Sequence, residues 1–205
     1  MSETNLIIHA NNCAGQNKNN AMIMYLAWRV ACELHTKITY SFMVADHMKF
    51  SPDGFFSLFK LKLWKSEVDN LDDLVDVVNN STLGGYNQAQ TIFDREGNHV
   101  VHFYNWTEFL STYFKTIPDI LKYHHFIFDR NNVGKVKVKK TIDENEQIVD
   151  IMKKESIIGF PQEIFPAGLS AERQWYLYEQ VRQHIGDPQK QDDYCLLPTV
   201  QKPSR

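Results

Sequence analysis

The chain has no apolar run approaching the ~18 to 20 residues that a membrane span requires, and its opening Met-Ser-Glu-Thr-Asn resembles neither a signal peptide nor a transit peptide. Cysteine is scarce. Cys13, Cys32 and Cys195 are odd in number and form no CxxC pair, so they read as thiols of a reducing compartment rather than a disulfide framework. The phosphate-cradling patterns GxGxxG and GxxxxGK[ST] are absent, and Gly84-Gly85 alone carries no such meaning. No HxxxH spacing supports a zinc site, even with His9, His47, Cys13 and His125 in the chain. Excess positive charge is missing too. The net charge is −3, so any footprint for nucleic acid must be local. The expected location is the nucleus or the cytoplasm, with no membrane partner.

Apolar residues make up 43% of the 205 positions and aromatic ones 13%, enough for a sizeable core. Asn5 to Ala10 reads as a buried strand. A polar turn over 11–17 follows. A helix then runs from near Lys18 to near His35 on the stripe Ile23, Leu26, Ala27, Val30 and Leu34. Ile38 to Ala45 is β-rich and apolar on both faces apart from Thr39 and Ser41, which predicts a strand covered on two sides. Ser51-Pro52-Asp53 starts a helix to about Trp64 that buries Phe55, Phe56, Phe59 and Leu63. Another, over 71–79, buries Leu71, Leu74, Val75 and Val78. Hairpins are expected around 94–98 and 131–134. Helices are expected over 106–114 and 144–154, and from Ser170 to Ile185. The fold class is α/β, with a βαβα first half and parallel strands. Residues 1–185 read as one domain and 186–205 as a polar tail, disordered unless docked.

The sharpest signal is the run His9-Ala10-Asn11-Asn12-Cys13-Ala14-Gly15-Gln16-Asn17-Lys18-Asn19, where a strand ends and a helix starts. A second is His47 to Asp53, just past the next strand. Ligands of open α/β sheets collect outside the carboxyl ends of strands. The segments HANNCAGQNKN, ADHMKFSPD, NWTEFL, IPDILKYHHFIF and ERQWYLYEQVR resemble a eukaryotic family of transposase-derived domains, across most of residues 5–185. In that family the first motif reads His-Ala-Asp-Asn-Cys-x-Gly-Gln-Asn-Lys-Asn.

The resemblance implies an RNase H-like core in which three carboxylates hold two divalent metals, Mg²⁺ or Mn²⁺, for transfer of a phosphodiester. It places Asn11 at the second acid position and Asp53 at the third, with His47 beside them. Asn12, Cys13, Gln16 and Asn17 would form the supporting or phosphate-facing turn. The first acid would lie before Met1, with a β-hairpin pairing beside Asn5 to Ala10. The chain has neither, which leaves that strand expected at an open edge and a truncated copy, an incomplete gene model or strand-borrowing from another chain as explanations. Asparagine at position 11 brings no charge. Losing one such ligand costs ~3 kcal/mol of transition-state stabilisation, about a hundredfold in rate. The reading is a catalytically impaired, transposable-element-derived protein with possible contact to DNA. The alternative is a protein-binding or assembly module.

Each residue also has a plainer reading. Asp53 favours a helix start without any metal. Asn11, Asn12, Gln16 and Asn17 satisfy a turn and cap the next helix. His9 and His47 pack or cap, and Cys13 lacks an orienting third group for nucleophilic work. Lys135, Lys137, Lys139 and Lys140 either track a phosphate backbone, are simply solvated, or guard an edge strand.

Overall fold

The computed structural model describes residues 4–43, 51–94, 96–154 and 156–203. In chain order the elements are β1 (Asn5–Ala10), α1 (Asn20–Ala31), β2 (Lys37–Phe42), α2 (Ser51–Leu63), α3 (Leu71–Asn79), β3 (Phe103–Tyr104), α4 (Trp106–Tyr113), β4 (His125–Asp129), β5 (Lys135–Lys139), β6 (Gln147–Asp150), β7 (Glu163–Ile164), α5 (Ala171–Tyr176) and α6 (Pro188–Tyr194). The chain is mixed α/β. It divides into two compact units, residues 1–48 with 103–164 and residues 49–102 with 165–205. No described helix is long and apolar enough to cross a membrane.

The first unit is built on a five-stranded sheet ordered β1-β2-β4-β5-β6. β1 and β2 are parallel, joined through α1, and every later neighbour is antiparallel. Strand periodicity decides which side is wet. Ile38, Tyr40, Phe42, Phe126, Phe128, Val136 and Val138 alternate onto one face. There they meet Ile23, Leu26, Ala27 and Val30 of α1 and Leu110 of α4. Among the described residues, α1 and α4 both lie on that face; on the other face of β2, Ser41 is still only 8% exposed and Thr39 half-buried. Leu34 misses the core because α1 stops at Ala31 and Glu33 turns left-handed at φ 60°, which leaves Leu34 exposed.

The hairpin at 131–134 forms, with Gly134 at φ 79° ending the turn. Residues 144–154 correct the expected helix. Gln147–Asp150 pairs antiparallel with Lys135–Val138 as β6. Val149 lies against Val136, and the chance of covering β5 outweighs weak local helix preference. β5 is therefore an interior strand, which removes edge protection as the reason for its lysines.

In the second unit the helix starting at Ser51 runs to Leu63, but its aromatics are only partly buried and Phe56 is exposed. In α3, Val77 is the buried residue and Leu71 is exposed. The turn at 94–98 closes, Asn98 donating to Asp94 Oδ1 at 2.7 Å. Among the described residues, however, its ladder is the single bridge Phe93–His99. Ser170 caps α5, and helical winding continues through a π segment and a 3₁₀ segment to His184. The polar end of the chain is docked: Arg182 donates to the carbonyls of Gln191 and Cys195 at 2.6 and 2.8 Å, and Lys190 pairs with Asp73 at 2.7 Å.

Candidate functional site

The polar turn leaves the carboxyl end of β1 and is held by its own groups. The Cys13 carbonyl accepts from the backbone N–H groups of Gln16, Asn17 and Lys18 at 3.3, 2.9 and 3.0 Å. Asn11 Oδ1 accepts from Asn17 Nδ2 at 2.5 Å and from the Cys13 N–H at 3.4 Å. Asn19, not an earlier residue of the motif, caps α1 by accepting from Met22 N at 2.9 Å. Its Nδ2 donates to the Gln16 carbonyl at 3.0 Å. Asn11 and Asn17 are half-buried, whereas Asn12, Cys13 and Gln16 are exposed. Asp53 lies exposed in the first turn of α2, in the second unit, where its carbonyl accepts from Ser57 Oγ at 2.8 Å. His47 and the segment 44–50 lie outside the described residues.

Beneath the turn sits a residue that motif reading treated only as a helix start. Lys18 is 2% exposed. Its Nζ donates to the Leu121 carbonyl at 2.8 Å and stands 5.3 Å from the Phe42 ring centroid. Burial lowers its pKa. Tyr40 braces the same corner, its hydroxyl donating to the Asn17 carbonyl at 3.0 Å. Burial pushes the Tyr40 pKa up to about 12. A lysine just ahead of a helix N-terminus opposes the helix dipole, and that misfit was the available clue.

Across the sheet, on the face away from the helices, register sets His9 beside Ser41, Ser41 beside His125 and His125 beside Lys139. His125 Nδ1 lies 3.0 Å from Ser41 Oγ. Burial first, then the charges of Lys139 and His9, lower the His125 pKa. Its chain neighbour His124 is lowered by burial, then by Lys18 and His125. The lysines of β5 share this face with Lys37. Lys137 pairs with Glu146 at 2.8 Å, and Lys139 donates to the Ile142 carbonyl. Part of the positive charge is thus already answered. Beside the turn, Gln16, Asn19, Ala21, Met22, Tyr25 and Trp106 line an open cleft of about 340 Å³. Tyr25 and Trp106 meet there edge to face at 4.9 Å between centroids.

The arrangement defines a class: a two-layer α/β unit with a mixed sheet whose leading parallel pair opens on an asparagine-rich turn. The chain belongs to the family described as Domain of unknown function (DUF7869), matched over residues 3–145, which takes in β1 through β5 and the whole turn. No curated protein and no solved structure gives a significant match.

Proposed function

We propose that this chain is a transposable-element-derived protein, the inactive remnant of a metal-dependent DNA strand-transfer domain of RNase H-like type, that keeps a weak hold on nucleic acid in the nucleus or cytoplasm. The observation that carries the loss of chemistry is the Asn11–Asn17 hydrogen bond of 2.5 Å. Where the resemblance implies an acid, a neutral amide oxygen is occupied by two N–H donors of its own turn. A divalent cation does not fit Asn11: its oxygen is already engaged, and it brings no negative charge to offset dehydration of Mg²⁺. No step through a metal follows for this site.

Nucleic-acid contact rests on two surfaces of the first unit. Lys37, Lys135, Lys137 and Lys139 share the open sheet face, where ammonium groups suit phosphates. The cleft at Tyr25 and Trp106 offers aromatic surface of the kind on which bases stack. The test is binding of labelled duplex and single-stranded DNA at about 50 and about 200 mM salt; neutralising three or four phosphates predicts weakening of about a hundredfold. Lys135→Ala should flatten the salt slope by about one. Absence of binding at the lower salt overturns the reading. The alternative, an assembly module, is favoured by the exposed apolar edge of β1.

A further inference from the structure

The two edges of the five-stranded sheet are unlike. β6 is four residues long and carries Asp150, with Asp143, Glu144 and Glu146 just before it. The chain beyond it is covered, because the Lys115 N–H donates to the Ile151 carbonyl and Phe114 bridges Met152. β1, at the other edge, has six residues with no lysine, arginine or carboxylate and no proline. Among the described residues no strand pairs with its outer side. Ile7, at its centre, is 69% exposed. Long apolar edges without charge, proline or cover are the ones that pair with other strands.

The backbone says which groups are on offer. The carbonyls of Thr4 and Ala10 accept from Lys37 and Met43, on the β2 side. Alternate residues of a parallel strand face the same neighbour, so Leu6 and Ile8 also face β2. Asn5, Ile7 and His9 then direct both N–H and C=O outward. The geometry points to a second copy of this chain as the occupant, its β1 antiparallel to this one about a twofold axis through Ile7. That register sets Ile7 opposite Ile7 of the second copy and Asn5 opposite its His9. It uses all three outward residues of each strand, completing about six inter-strand hydrogen bonds in the narrow and wide pairs of an antiparallel ladder. Side chains match as well. Ile7 covers Ile7 on the open face, and Leu6 faces Ile8 on the core face, where both already pack partly against the core. A register shifted by two residues keeps only two outward residues bonded on each strand, Ile7 and His9 in one direction or Asn5 and Ile7 in the other. The pair brings no like charges together, and its twofold symmetry closes the assembly at two copies. This inference does not depend on the DNA reading.

The test is the oligomeric state of the full chain by sedimentation from about 1 to about 100 µM, the range in which edge pairing of this size is measurable. A concentration-dependent dimer is expected. Ile7→Lys should raise its Kd at least tenfold while leaving the circular dichroism unchanged, because the side chain is exposed. Ile7→Pro removes only an outward N–H and should do the same. With Cys13 and Cys32 replaced by Ser, oxidation of Ile7→Cys should give a covalent dimer, since Cα atoms of a bonded pair lie about 5.5 Å apart. Asn5→Cys should give far less, because its mate is His9. A chain monomeric throughout, a dimer indifferent to Ile7→Lys, or equal cross-linking at Asn5 and Ile7 overturns the proposal. So does a monomer that instead takes up an unrelated β-strand peptide.

Discussion

Asn11 Oδ1 and Asn17 Nδ2 stand 2.5 Å apart, closing the turn between β1 and α1 across six positions. The bond is half-buried, and it gives the turn a fixed shape ahead of the Asn19 cap. It also sets what position 11 is for in this chain: an acceptor for its own loop.

Replacing Asn11 by Ala leaves the Asn17 amide and the Cys13 N–H without that acceptor, and should cost about 1 to 2 kcal/mol in chemical denaturation. Asn11→Asp keeps both bonds and makes them charge-assisted, so stability should change by less than about 1 kcal/mol. Neither variant should cleave DNA with Mg²⁺ or Mn²⁺. Cleavage by Asn11→Asp would overturn the reading of this site as inactive.

Gly134 ends the β4–β5 turn at φ 79°, and a Cβ there would come 2.6 Å from Cβ of Met152. Gly134→Ala therefore meets both a left-handed backbone and a packed neighbour, and should cost about 2 to 4 kcal/mol. Gly97 has a similar φ of 83° with open space around it. Gly97→Ala should lose only the backbone part, about 1 to 2 kcal/mol. Urea midpoints of the two variants measured side by side check the difference; equal losses would place no weight on Met152.

What could be read beforehand follows what is local. The βαβ opening, the Ser51 start, α3, α4 and the 131–134 hairpin lie in short stretches whose period and caps speak for themselves. β6 failed because Gln147–Asp150 owes its state to pairing with β5, and nothing within 144–154 announces that partner. Phe56 and Leu71 were expected inside because apolar spacing marks a face without saying whether that face finds a cover. At the candidate site, the turn was legible as a strand-to-helix junction. The burial of Lys18 was not, since it depends on Leu121, about a hundred residues away. The contact of His125 with Ser41 likewise depends on register between strands distant in sequence.

His124, His125 and Lys18 together predict a response to acid. Both imidazoles titrate below the ordinary 6.5, His124 through burial and then Lys18 and His125, His125 through burial and then Lys139 and His9. As pH falls below 6.5 the unfolded chain takes up these protons first. The first unit should therefore hold its full stability above about pH 6.5 and lose it progressively as pH falls through the lower folded values. Lys18 works at the other end. Its folded pKa lies below 10.5, so the penalty for burying its charge is relieved as pH rises from that folded value toward 10.5. Lys18→Met removes the charge near His124 but none of the groups acting on His125. NMR titration should then show His124 moving up toward 6.5 while His125 stays, and the acid loss of stability should become shallower. If the two histidines shift together, or neither does, the ammonium of Lys18 adds nothing to what burial does to His124.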